Sequence, residues 1–493
     1  MRAVRGMSAF SNVVVNTAQR RVGSFVWVTA GFIATTTFAA VLATQRPGAA
    51  AFVTITLGGL VALTMLSLRS PFILLPVLAG FAARVAAVVI HEHVVRLPQA
   101  ADAGGFVLRA LALAQLPASE LLQQFGTGAR SVPWLTAWLF QLTGPEPAAA
   151  QAVMVVMGTG LIIATCRLAQ ALGAAPRMVL IVAWVMAFFP QPIVHSALLL
   201  REIPFSLFFT LALTQLVHWD RTRRPWFALS GALYILAAAL FHAAAIFAYA
   251  AFLVYAGLRS VSVRDSARLV LGIVSFSLVL GLGWTVLEAE FAAEQLGGSY
   301  ATIGDAYFSR ELQPTLGGAA YPEELRIRGP EDLWKAPIRL VLFLFAPLPW
   351  MVQTARQSLG VIDSVLFVMA AFLIVRGYAY WKSIGRQKSF RLIAAVVFVG
   401  VVVFALAVSN YGTAIRHRAK FTPAVVVLAV AGLGKPSRCS QYTRLSAGEN
   451  RATVGFVAGG RLIRDDARAL RSFEASSNVR LLRPPDGGDL GTR

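Results

Sequence analysis

The chain has 493 residues, 57% of them hydrophobic and only 14% charged, whereas a soluble domain carries roughly 45–50% apolar and about 25% charged residues. Repeated apolar stretches near the length of a membrane span exclude a soluble enzyme and indicate a polytopic membrane protein. The net charge of +21 would suit nucleic acid, but no nucleic-acid motif accompanies it, and surplus Lys and Arg is what the cytoplasmic loops of a membrane protein carry.

In chain order, Arg20 and Arg21 precede the first apolar run without a small-residue cleavage site, which reads as an uncleaved first span. Predicted spans cover 24–44, 49–67, 71–90, 150–170, 177–197, 204–218, 227–241, 243–258, 268–288, 361–376, 392–409 and 419–434. The fold class is therefore all-α, a transmembrane bundle of about 11–13 spans. Residues 227–258 are too long for one untilted span and read as two short helices turning near His242. Residues 335–355 are apolar but broken by Pro347 and Pro349, and read as re-entrant or interfacial. Cys166 falls inside an apolar run, and two cysteines make no disulfide framework.

Orientation follows from Lys and Arg in short loops. The basic connectors 220–226, 258–268 and 375–391 and the Arg-rich tail 435–493 all share one side if 335–355 does not cross. That side is cytoplasmic and includes residues 1–23. The loops near 91–149 and 289–360, with 195–203 and 410–418, then face outward from a domain spanning 24–434. Nine of the 23 acids lie between 288 and 332, which agrees with that assignment. The tail reads as a poorly ordered extension with one short helix near 461–473.

Several stretches could carry chemistry. "HEH" (91–93) invites a metal reading, but histidines two apart do not share a helix face and no third ligand clusters with them. Asp102, before a helical apolar pattern, is either an N-cap or a catalytic carboxylate over a site. In "LLLREIPFSLFF", Pro204 marks a helix start, and Glu202 near it is favoured by the helix dipole. Arg201 and Glu202 also stand where ionisable groups at a span end suggest function. His242 reads as a buried, hydrogen-bonded histidine, and "FAPLPWM" (345–351) as an interfacial turn. "NYGTAIRHRAK" (410–420) places Arg416, His417, Arg418 and Lys420 on the outer side, against the usual charge rule. Guanidinium forks suit phosphate oxygens, and Gly412 permits close backbone approach.

At these residues the chain resembles the GT-C superfamily of polyprenyl-phosphate-dependent glycosyltransferases. The likeness is to the protein-mannosyltransferase and aminoarabinose-transferase type and to relatives in exopolysaccharide clusters. The family's Asp-x-x-x-Tyr-x-x-x-Ala pattern corresponds to Asp102, Phe106 and Ala110, with Phe in place of Tyr. Ala103 stands where a second acid is usual. Glu202 matches a Glu at the external start of a later span, and "LFAPLPW" and "GTAIRHR" look like segments of the polysaccharide-cluster relatives. Two spans more than in the simplest members precede the Asp102 loop.

The resemblance implies an inverting transfer of a sugar from a polyprenyl-phosphate carrier to an acceptor hydroxyl on the outer face of a bacterial cytoplasmic membrane. The product would belong to cell-envelope or extracellular polysaccharide synthesis. Asp102 and Glu202 are the expected catalytic residues, and Arg201, Arg416, Arg418 and Lys420 the expected lipid-phosphate ligands. No tightly bound cofactor and no metal ligand set is implied, the lipid-linked sugar being the donor. Expected partners are the bilayer, that donor, a glycan or protein acceptor and an envelope-synthesis complex, and not nucleic acid. Rival readings are an O-antigen-type polymerase or ligase, a non-enzymatic lipid-linked glycan flippase, and a scaffold subunit.

Overall fold

The structure, a computed structural model, describes residues 47–242, 245, 270, 274, 321–325, 327, 330–352, 355–408 and 410–433. Every regular element among them is helical. The expected spans 24–44, 243–258 (but for residue 245) and 268–288 (but for 270 and 274), residues 1–23 and the tail lie outside them. Among the described residues five helices are long and apolar enough to cross a membrane, or six if one bent pair is a single span.

The first two spans among the described residues are α1 (Pro47–Ser67) and α2 (Leu74–His93). They pack on α6 (Pro147–Leu172), which is buried along most of its length and forms the centre of the bundle. Between α2 and α6 lie α3 (Ala100–Ala114), α4 (Ala118–Gln123) and α5 (Ser131–Thr143), too short to span. The amphipathic α3 buries Ala103 and Ala110 but leaves Leu108 exposed, the pattern of a helix lying on a surface.

The run expected as one span over 177–197 is instead two helices, α7 (Pro176–Phe188) and α8 (Pro190–Ala197), bent by 49°. Pro190 has no N–H and forces Phe189 into an extended conformation, φ −64° and ψ 124°. The break frees the Met186 carbonyl, whose usual donor would be the missing N–H of Pro190. Arg84, fully buried in α2, supplies it: Nη2 donates to Met186 O at 3.2 Å and Nη1 to Ala187 O at 3.3 Å. A cation inside a span here substitutes for a lost helix bond.

Next come α9 (Glu202–Thr222) and α10 (Pro225–Phe241). Helix α10 ends where the turn at His242 was expected, with His242 in an extended conformation. On α9 the buried hydroxyls of Ser206, Thr210 and Thr214 each donate to the carbonyl one turn earlier, so close helix packing leaves these groups satisfied.

The remaining described helices are α11 (Ala336–Phe345), α12 (Ala355–Ser383), α13 (Gln387–Ala407), α14 (Tyr411–Ala419) and α15 (Thr422–Val430). With ten residues, α11 reaches about 15 Å, half a bilayer core, in line with a re-entrant or interfacial 335–355. Gly377 and Gly432 let α12 and the end of α15 meet at backbone contact, since a methyl on Gly432 would lie 2.2 Å from Leu373 O.

Helix α9 relates the two ends of the bundle. Glu202 at its start contacts Arg416, and Asp220 near its end accepts from Ser389 Oγ at 3.3 Å. Eighteen residues of helix separate them by about 27 Å. The 410–420 segment and the basic 375–391 connector are therefore at opposite ends.

Candidate functional site

Helix α14 carries the cationic cluster. Its start is fixed by Asn410, whose side chain accepts from Thr413 N at 2.7 Å, an ordinary N-cap. At 100° per residue, Arg416 and Lys420 share one face while Arg418 points the other way. The cluster thus divides between two environments.

Arg418 faces the core. It and Asp363 are both fully buried, with Nε bonded to Asp363 Oδ2 at 2.5 Å. Nη1 donates to the Leu344 and Ala346 carbonyls at 3.0 and 2.7 Å, and Nη2 to Gly360 O and Ser364 Oγ at 3.2 and 3.0 Å. All five N–H groups of a guanidinium are thereby engaged. Arg418, expected at the lipid phosphate, here spends every donor within the protein and holds α11, α12 and α14 together.

Arg416 faces the other way and joins two carboxylates remote in sequence. Nη1 lies 2.5 Å from Asp102 Oδ2, and Nε and Nη2 lie 3.1 and 3.0 Å from Glu202 Oε1. Side-chain exposure grades across the cluster: 53% for Asp102, 14% for Arg416 and 1% for Glu202. Burial opposes the Arg416 charge, but Glu202 and then Asp102 outweigh it and raise its pKa above the ordinary arginine value. Glu202 Oε2 is buried and makes no hydrogen bond with the described residues.

Lys420 lies beneath Glu202. It is fully buried, with Nζ 4.0 Å from Glu202 Oε1 and 2.5 Å from His417 Nδ1, and it sits over the Phe404 ring at 4.7 Å. Its access is through Glu202 and not through solvent. The His242 ring packs on Phe404 and edge-on to His417, at 4.7 and 5.1 Å. His242 is half-buried; its Nδ1 is itself buried and, where a hydrogen-bonded histidine was the expectation, has no hydrogen-bond partner among the described residues. Arg201 occupies the N-cap position of α9, half-buried.

Asp102 is not the N-cap of α3. Gln99 takes that position at φ 69°, a left-handed conformation unusual for a non-glycine residue. Its Oε1 lies 2.8 Å from Nε2 of buried His195 on α8, which ties the entry of α3 to the bundle and sets Asp102 above Arg416. Glu202 is the first residue of α9 and Pro204 the third, close to the expected helix start.

The metal reading of 91–93 finds a local account. His91 Nδ1 accepts from Leu97 N at 3.2 Å, and Glu92 accepts from Gln151 at 2.7 Å and pairs with Arg96 at 3.5 Å. Among the described residues no three His, Cys, Asp or Glu converge as a ligand group. Beside the ionic cluster is an almost wholly apolar cavity of about 210 Å³, lined by Val132 and Leu139 of α5, Met154 of α6, Phe241 of α10, and Leu199 and Pro204, which flank Glu202.

Sequence reasoning missed Asp363, His195, Gln99 and Arg84. Asp363 carried a signal, an isolated acid inside an apolar run. The other three are identified only by their spatial partners.

No protein-family model matches the chain, and no curated protein matches it. Among solved structures it is similar to the archaeal oligosaccharyltransferase AglB from Archaeoglobus fulgidus in complex with an inhibitory peptide and a dolichol-phosphate. That similarity is at 13% identity and TM-score 0.40, over 80% of this chain and 54% of that one. It is also similar to the apo form of the Archaeoglobus fulgidus oligosaccharyltransferase, at 13% identity and TM-score 0.43, over 83% and 55%. The chain spans about half the length of these structures.

Proposed function

We propose that this protein is a membrane glycosyltransferase of the GT-C kind, moving a sugar from a polyprenyl-phosphate carrier to an acceptor hydroxyl at the outer membrane surface. The observation that supports it is Arg416 held between an exposed and a buried carboxylate at one end of the bundle. Ionisable groups at membrane depth are costly and mark function by default.

Each group has a role in this reading. Arg416 meets the carrier phosphate and stabilises the charge that grows as the bond from the anomeric carbon to the phosphate oxygen breaks. Asp102 takes the proton of the attacking hydroxyl. Glu202 positions Arg416, and its open Oε2 accepts a hydrogen bond from substrate. Lys420 positions Glu202, and Arg201 lies at the edge of the anion site. The apolar cavity beside Pro204 is suited to carrier hydrocarbon.

The active end is proposed to face outward from a bacterial cytoplasmic membrane, on the positive-inside rule. Single cysteines replacing Gly412 and Arg224, in a background without native thiols, test this. Both sites are exposed and at opposite ends. An impermeant maleimide added outside the membrane is expected to label position 412 and leave 224 unlabelled until lysis. The reverse pattern would place the ionic cluster inside.

The test of the chemistry is Asp102→Asn in a deletion strain. The variant is expected at normal abundance with glycan transfer reduced by about 10²–10⁴. Unaltered glycan would remove Asp102 from the reaction.

A further inference from the structure

The opposite end of the bundle carries a second charged feature. Its connections present Arg221, Arg224, Lys382, Arg386, Lys388 and Arg391. The acid among the described residues on these connections, Asp220, is buried and lies 3.4 Å from Arg223 and 3.3 Å from Ser389. Two of the cations converge on the last turn of α6. Arg221 Nη1 donates to Ala171 O at 2.9 Å. Arg386, in the turn between α12 and α13, lies over Gly173, with Nε 3.2 Å from where a β-carbon on that glycine would stand. Gly173 has φ +87°, so this position suits glycine on both grounds. The Arg386 guanidinium makes no hydrogen bond with the described residues.

Like charges brought to one turn repel unless an anion joins them. The carbonyl end of α6 offsets part of this, yet no carboxylate among the described residues stands between the two guanidinium groups. Burial and then the nearby Arg221 lower the Arg386 pKa below the ordinary arginine value. Trp226, at the start of α10 on this same end, is 68% exposed, as expected of an indole at the membrane–water boundary.

We propose that the ends of α6 and α9 and the α12–α13 turn form a binding site for an anionic phospholipid headgroup, with Arg221 and Arg386 as its phosphate ligands. Guanidinium pairs suit phosphate oxygens, and basic side chains at helix ends near the bilayer surface are placed to take a headgroup while its acyl chains stay in the membrane. The proposal is independent of the transferase reading, since the two sites are about 27 Å apart along α9.

The experiment is thermal unfolding of the full chain in detergent, titrated with cardiolipin, with phosphatidylcholine and with inorganic phosphate. Cardiolipin at a hundredfold excess over its Kd is expected to raise the midpoint by about 5 °C, and phosphatidylcholine to have no effect. Arg386→Gln is expected to fold normally and weaken cardiolipin about fivefold. Arg391→Gln, whose guanidinium bonds the Tyr378 hydroxyl, should leave the response intact. An equal shift with phosphatidylcholine, an unchanged response in Arg386→Gln, or an equal loss in both variants would overturn the site. An equal shift with inorganic phosphate would make it a free-anion site and overturn the lipid assignment.

Discussion

Replacing Arg416 with alanine is expected to abolish transfer, by a factor of roughly 10³ or more, and also to destabilise the fold. The first effect comes from losing the cation set to meet developing phosphate charge. The second comes from Glu202, left buried without the guanidinium that contacts its Oε1. Stranding one member of a buried pair costs about 3–5 kcal/mol, and Lys420 at 4.0 Å from Glu202 keeps this near the lower bound. Arg416→Lys separates the two effects. A lysine restores charge but cannot present a planar fork to Asp102 and Glu202 together, so stability should largely return while transfer stays low. Thermal midpoints and transfer rates on the same preparations decide the matter. Normal transfer in Arg416→Ala would sink the proposed site.

Arg418→Met is expected to have the larger effect on stability and to look like a folding defect. It strands fully buried Asp363 and unmakes bonds to three carbonyls and one hydroxyl. The loss should reach about 4–5 kcal/mol, a large part of the 5–15 kcal/mol that typically separates folded from unfolded states. The variant should aggregate on extraction. Arg418→Met with Asp363→Leu removes both charges and should recover most of the midpoint, as buried pairs exchanged for apolar groups often do. A stable Arg418→Met protein that lacks only transfer would return Arg418 to the phosphate site.

The contrast between these two arginines shows how far the sequence could be read. Both stand in one short basic motif, and composition treats them alike. Their spacing places them on different faces of α14, but only the tertiary structure shows what each face meets. Arg416 finds Asp102 across 314 positions of chain, and Arg418 finds Asp363. Asp102 itself reads as a helix cap as well as a catalytic acid. Gln99, in a left-handed conformation and bonded to His195, takes the cap position, and no pattern of residue types announces such a contact.

Apolar run length determined the helical membrane class and five of the span positions among the described residues, because a bilayer demands internally bonded backbone of fixed length. Proline placement anticipated the break at Pro347. Pro190 instead lies in a run whose apolar length alone reads as one span, and α7 and α8 bend apart there. Tertiary structure alone decided which charges meet. Ion pairs depend on the distance and burial of particular atoms, and helices that are neighbours in the bundle are not neighbours in the chain.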